Sequence, residues 1–275
     1  MMNRQAVLPP RPKRSLKSMS KTYGLSLLFL FIFIWSALGT IDKVNWSRVF
    51  SMHTIANIDR VIPKLFQPNF DKLDRVLELM FETLFIAFTG SLMAAILAIP
   101  LGFLTAKNMM GTSPIGKVVN AICKLLLNAI RTFPEILLAL IFVASIGPSP
   151  FAGVLAIAIG STGMLGKLYG EVIETIDMQV VEALEANGAN KIQILFYGII
   201  PQIVPEFLSY AIYRFEIDVR ASTILGIIGA GGIGTMIVIS QQNRNWDEVS
   251  LILIVIIVTV TIIDNISAFI RKRLV

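Results

Sequence analysis

One cysteine and one histidine in 275 residues leave this sequence without the material for several common chemistries. Cys123 alone cannot build a disulfide framework, and His53 beside it does not make a Cys/His metal cluster. The single histidine also removes the commonest general base, and no nucleophile–base–orienter set is present. Charge is scarce too: 15% of residues are charged and 55% are hydrophobic, with a mean hydropathy of +0.74. Soluble domains carry about 25% charged residues, so a soluble domain is excluded and an all-α integral membrane protein is expected. The formal charge of +6 does not point to nucleic acid, because the basic residues gather at the chain ends. Cys123 reads as a small helix residue, and His53 as a polar surface residue.

What is present is a series of long apolar runs. Residues 1–22 form a basic tail with Arg4, Arg11, Lys13, Arg14, Lys17 and Lys21, expected on the cytoplasmic side by the positive-inside rule. A signal peptide is disfavoured, because residues 23–41 approach the ~20 residues a bilayer needs and no clean cleavage site follows. The first span is therefore 23–41. Residues 42–75 mix charges with Trp46, Phe50, Phe66 and Phe70 and read as an extracytoplasmic loop with amphipathic pieces at the interface. Residues 76–273 form the core, with spans near 76–106, 118–146, 151–169, from 199 onward, and 249–270. Basic ends favour six spans, with Arg271, Lys272 and Arg273 inside. Counting Gly226 to Ile239 as a full span gives seven.

Polar residues inside these spans are few. Lys124 and Asn128 share one helical face, and the spacing of Arg131 and Glu135 permits a pair. Lys124 has two readings, a protein-facing charge or a snorkelling headgroup neighbour. Arg214 with Asp218 and Glu216 with Arg220 are each four apart, so one helix satisfies four charges. Ser161, Thr162, Gly163 and Gly166 belong to a small-residue run that lets helices approach closely.

The chain is organised around an amphipathic interruption, VEALEANGANKIQILFYGIIPQIVP, from Val181 to Pro205. Val181, Leu184, Ile192, Leu195, Phe196 and Ile199 recur at three- and four-residue spacings. Gly188 divides them where a left-handed cap costs glycine little. Two short helices meeting at a glycine are expected, on the membrane surface and facing something soluble. The glycine run Gly229, Gly231, Gly232 and Gly234 reads as a broken or re-entrant segment, which must be buried in protein or line a cavity.

Two motifs are decoys. Gly111 to Lys117 nearly completes a phosphate loop, but Val118 replaces the magnesium-binding hydroxyl and no strand precedes it. Gly229, Gly231 and Gly234 have dinucleotide spacing without a strand-turn-helix unit.

The stretch beginning Glu182-Ala183, departing at Leu184, with Gly188 in place and Pro201 closing it, resembles the cytoplasmic loop shared by permease subunits of bacterial ABC importers. Gly198 and Ile200 replace the Ile and Leu of that pattern. Arg131-Thr-Phe-Pro134 resembles the corresponding start in methionine-type permeases. Gly147 to Val154, Ser161 to Gly163, Gly188 to Lys191, Tyr213 to Glu216 and Gly229 to Gly234 are similar to phosphonate-type permeases. The likeness covers roughly Leu77 to the C-terminus.

That resemblance implies a type I importer transmembrane domain, with six spans and a coupling loop over residues 178–198. It implies no enzyme activity and no cofactor in this chain, since ATP and magnesium bind the partner. The implied partners are a second copy of the permease, two cytoplasmic ABC ATPase subunits, an extracytoplasmic binding protein and membrane lipid. The cargo implied is phosphonate or a related phosphorus oxyanion such as phosphite; the alternative is another small solute such as an amino acid. Coupling to the ATPase is expected from Glu182, Ala183, Leu184, Glu185, Gly188, Ile192, Phe196 and Pro201, with Leu184, Ile192 and Phe196 as an apolar plug. The path or gate is expected from Arg131, Ser161, Thr162, Arg214, Arg220, Ser222, Gly229, Gly231, Gly232 and Gly234. For Arg214 and Arg220, salt-bridged scaffolding is the competing reading.

Overall fold

A computed structural model describes residues 16–41, 43–110 and 113–274. The first fifteen residues of the expected basic tail, and Gly111 and Thr112 of the near-phosphate loop, lie outside them. Among the described residues every regular element is helical. The chain forms two units, residues 1–61 and 62–275.

In the first unit, α1 (Leu16–Ile41) carries a 19-residue apolar segment, Tyr23–Ile41, whose side chains are largely exposed. That exposure suits hydrocarbon rather than water. The short α2 (Trp46–Val49) follows, capped by the Asn45 side chain, with Trp46 and Phe50 stacked at 6.0 Å. Next comes α3 (Met52–Leu65).

The second unit is built on α4 (Leu73–Thr105) and α8 (Pro150–Glu174). Small residues on α4, namely Ala87, Gly90, Ser91, Ala94, Ala98 and Gly102, are buried at three- and four-residue spacing. They form a flat stripe against α8, where Gly90 meets Ile157 and Gly102 meets Tyr169. In lipid, where apolar side chains gain little by hiding from the solvent, such close backbone approach is a main source of helix association. Ser149 caps α8 by accepting from Ala152 N–H, and Pro150 occupies the first turn, where its missing donor costs nothing.

The span expected over 118–146 is instead two helices, α6 (Pro114–Thr132) and α7 (Glu135–Ile146), bent by 83°. Pro134 is the cause: it and Phe133 are extended, with ψ of 136° and 123°, as expected for a residue preceding proline. Between α4 and α6 lies the single turn α5 (Lys107–Met110). After α8 come α9 (Met178–Ala186), the one-turn α10 (Lys191–Gln193) and a π-helical turn, Ile194–Ile199. The long α11 (Ile200–Leu225), a glycine turn, α12 (Ile233–Gln242) and α13 (Trp246–Leu274) complete the chain. At ten residues, α12 is about 15 Å long, half a hydrocarbon core. The glycine segment is therefore a break and not a seventh span. Five helices are long and apolar enough to cross a membrane, six when the bent α6–α7 pair counts as one.

Candidate coupling loop and charge cluster

The loop between α8 and α11 is a closed frame. Asp177 caps α9 by accepting from Gln179 N–H at 2.9 Å, while Gln202 accepts from Asp177 N–H at 2.8 Å. Gln202 also donates to the Gly198 carbonyl at 2.7 Å, so one amide joins the start of α9 to the start of α11. Gly188 ends α9 with φ +79°, its N–H donating to Glu185 O at 2.9 Å and the next N–H donating to Leu184 O at 3.1 Å. Those two bonds are a Schellman motif, and its left-handed residue is where glycine avoids a Cβ penalty. Asn190 and Gln193 then form a reciprocal capping box that starts α10. The π turn sits just before Pro201, whose ring would press on the carbonyl four residues back, so the helix widens there.

The stripe expected from the sequence divides between two directions. Val181 and Ile199 are buried, Leu195 is partly buried beside Ile194, which lies outside the stripe, and Leu184 packs inward against Gly198. Leu184 is therefore part of the frame and not of an outward plug, because the Schellman turn folds the last turn of α9 back onto the π turn. Ile192 and Phe196 point outward, joined by Tyr197, which is 74% exposed and was not singled out in the sequence. Glu182 and Glu185 are exposed and make no ion pair among the described residues. Ala183 and Pro201 are exposed as well.

Midway along α4, α8 and α11 lies a buried ionic cluster. Asp218 is fully buried; it accepts from Ser91 at 2.7 Å, from Ser161 at 2.8 Å and from Arg214 Nε at 2.9 Å. Arg214 also donates to Ser161 Oγ at 2.9 Å and to Met164 Sδ at 3.2 Å, and it pairs through Nη2 with Glu135. The Arg214–Asp218 pair is the one the spacing indicated. The expected Arg131–Glu135 pair does not form, because Pro134 breaks the helix between them and turns Glu135 toward α11. Arg131 is exposed and makes no ion pair among the described residues, while its backbone passes close to Gly163. Ser161 and Arg214, expected on a path, are inside this cluster. Thr162 and Ser222 are buried too, their hydroxyls donating to Ala158 O at 2.6 Å and to Val219 O at 3.0 Å. Four elements are thus tied together by one satisfied network, the condition under which buried charge is tolerated.

A second network is at the surface. Arg220 pairs with Glu216 and with Asp264, each at 2.8 Å, and Arg271 pairs with Glu216 at 3.1 Å. It joins α13 to α11, with Arg220 ion-paired to both. Lys124 pairs with Glu174 at 3.3 Å and so faces protein.

The glycine turn is held by α4. Gly229, Gly231 and Gly232 all have positive φ, and Gly232 N–H donates to Glu82 Oε1 at 3.0 Å. Thr83 Oγ accepts from Ile233 N–H at 2.8 Å while donating to Leu79 O at 2.8 Å. A Cβ on Gly232 would stand 2.4 Å from that hydroxyl. Gly234 is buried against the end of α11. Glu82, Thr83, Ser91 and Asp264 are partners that sequence reasoning missed, and Glu135 was matched there to Arg131 and not to Arg214. A polar residue on an otherwise apolar span was the available signal, but spacing within one helix does not reveal partners on another.

Comparison with known proteins bears on both ends of this structure. A family described as binding-protein-dependent transport system inner membrane component matches residues 98–275. The phosphite transport system permease protein PtxC of Stutzerimonas stutzeri is 36% identical over 222 residues, 81% of this chain and 79% of that one. The phosphate-import permease protein PhnE of Mycolicibacterium smegmatis is 34% identical over 275 residues, 99% of this chain and 50% of that one. Among solved structures, the MetNI methionine ABC transporter in an inward-facing conformation superposes with a TM-score of 0.60 at 19% identity, covering 73% of this chain and 96% of that one. An amino acid ABC transporter superposes at 0.56 and 20% identity, covering 74% and 98%. These likenesses establish the fold.

Proposed function

We propose a function from the premise that this chain belongs to the family of binding-protein-dependent transport system inner membrane components: it is the permease of an ATP-driven importer for phosphite or a closely related phosphorus oxyanion. The relatives named for phosphite and phosphate transport support the cargo. The observation that carries the coupling role is the frame around Gly188, which presents Ile192, Phe196 and Tyr197 outward beside Glu182 and Glu185, exposed and without an ion pair among the described residues. A rigid turn with an apolar tip and acidic flanks suits docking into a cleft of a separate ATPase with basic neighbours. The ATPase supplies ATP and magnesium chemistry; this chain supplies the lever.

In that arrangement residues 178–198 and both chain ends are cytoplasmic, in keeping with Arg271, Lys272 and Arg273 at the end of α13. Residues 42–75 face the other side, where a binding protein delivers cargo to a homodimer of permeases. The glycine turn at the far end of α11 acts as the outer gate, its shape set by Glu82 and Thr83. Arg131, exposed and without an ion pair among the described residues, serves the path, and Arg214 with Asp218 holds the helices that move.

The test is uptake by proteoliposomes containing the permease, its ATPase and its binding protein. Radiolabelled phosphite should accumulate with ATP and binding protein, and methionine should not. Accumulation of methionine in place of phosphite refutes the cargo assignment; absence of any ATP-dependent uptake refutes the transport assignment.

A further inference from the structure

Next to the loop, at the foot of α4, α6 and α8, is a cavity of about 250 Å³. It lies apart from the coupling loop's outward face, the buried cluster and the glycine turn. Lys107, Lys124 and Lys167 reach it from three helices, against Glu171 and Glu174. Three ammonium groups face two carboxylates, which leaves one positive charge in excess. Glu174 is already engaged by Lys124 at 3.3 Å and by the Lys107 N–H at 2.9 Å. Lys167 stands 3.9 Å from Glu171, too far for a hydrogen bond. The Asn128 side chain makes no hydrogen bond among the described residues, so its amide donors are also unspent. Lys124 and Lys167 are 37% and 45% exposed, so the excess positive charge is open to an anion arriving from solvent.

Position adds to this. Lys124, Asn128 and Arg131 fall at i, i+4 and i+7 on α6, one helical face. The cavity therefore lies about 10 Å along the helix from Arg131 toward the loop end.

We propose that this cavity is an anion site for a tetrahedral phosphorus oxyanion, bound by Lys124, Lys167 and Asn128. Its place as an inner station for released cargo rests on the transport reading above; the binding chemistry does not. The same oxygens are offered by free phosphite or phosphate and by the headgroup of an anionic phospholipid, and the experiment separates the two.

The assembled importer is placed in phosphatidylcholine nanodiscs and titrated with sodium phosphite and with inorganic phosphate at constant ionic strength. Binding is followed by ³¹P line broadening and by thermal stabilisation. The wild type should respond, and Lys124→Gln with Lys167→Gln should raise the half-saturating concentration about a hundredfold or more, the effect of losing two charge-assisted bonds. Lys167→Gln alone, at a half-exposed position with one distant partner, serves where the double variant assembles poorly. Glu171→Gln should act in the opposite direction and tighten binding severalfold.

If free anions give no response but phosphatidylglycerol stabilises the wild type and not the lysine variant, the site holds a lipid phosphate, and the shared chemistry stands. A response unchanged in the lysine variant, or lost in Arg131→Ala alone, overturns the proposal, as does a failure of both anion and lipid. Uptake is not read here, so a refuted cargo assignment and a refuted cavity are told apart.

Discussion

Replacing Arg214 by methionine tests the buried cluster in a way that fixes its energetics. The substitution keeps an unbranched chain of similar reach but leaves Asp218, which is fully buried, facing only Ser91 and Ser161. Removing one partner of a buried pair typically costs about 3–5 kcal/mol, because the remaining charge stays desolvated. Two hydroxyl donors at 2.7 and 2.8 Å remain on the carboxylate, and the Glu135 side chain, 21% exposed, can relax outward. The lower end of that range, about 3 kcal/mol, is therefore the expected loss. In detergent-solubilised protein this should lower the melting midpoint by about 5–10 °C, read by fluorescence-detected gel filtration after heating. Pairing Arg214→Met with Asp218→Asn removes the orphaned charge and should restore most of the loss, a coupling outside the range of independent sites. A single variant that loses under about 1 kcal/mol, or a double variant as poor as the sum of its parts, refutes the brace.

Other perturbations follow from the same geometry. Thr83→Val leaves the buried Ile233 N–H without an acceptor and should cost about 1–3 kcal/mol, seen as faster hydrogen exchange at Ile233; unchanged exchange removes Thr83 from the glycine turn. Arg220→Ala should change stability by no more than about 1 kcal/mol, since Arg220 is 46% exposed and Arg271 still pairs with Glu216. A larger fall in the melting midpoint contradicts its assignment to a surface network. Arg131→Ala should lower phosphite uptake while leaving the complex assembled on gel filtration, and undiminished uptake excludes it from the path.

Much of this architecture is legible in the sequence because lipid imposes simple rules. Apolar length marks the spans, and helix spacing exposes Arg214 with Asp218 and Glu216 with Arg220. A lone glycine between two amphipathic stretches marks the turn at Gly188. What the sequence does not show is partnership across helices. Pro134 reads as part of the Arg-Thr-Phe-Pro run, yet its effect, swinging Glu135 from Arg131 to Arg214, depends on where α11 lies. Leu184 belongs to the apolar stripe, but which side of that stripe faces inward is decided by how the Schellman turn folds α9 onto Gly198. Ser161 and Ser222 are hydroxyls in spans and look like path residues; their burial follows from α11 packing onto α4 and α8, where Ser222 meets Thr83 O and Ser161 meets Asp218. Glu82 and Thr83 sit at the start of an apolar run, and only the folded glycine turn gives them a role.

The central claim is that energy enters through residues 178–198, and Gly188→Leu tests it most directly. A left-handed residue with a β-carbon costs about 1–2 kcal/mol, and no atom lies within 4 Å of a Cβ built at Gly188. The variant should therefore insert and fold while the loop loses its shape. In reconstituted importer, binding-protein-stimulated ATP hydrolysis and phosphite uptake should both collapse, with the isolated ATPase unaffected. If both persist at wild-type rates, the loop is not the coupling element.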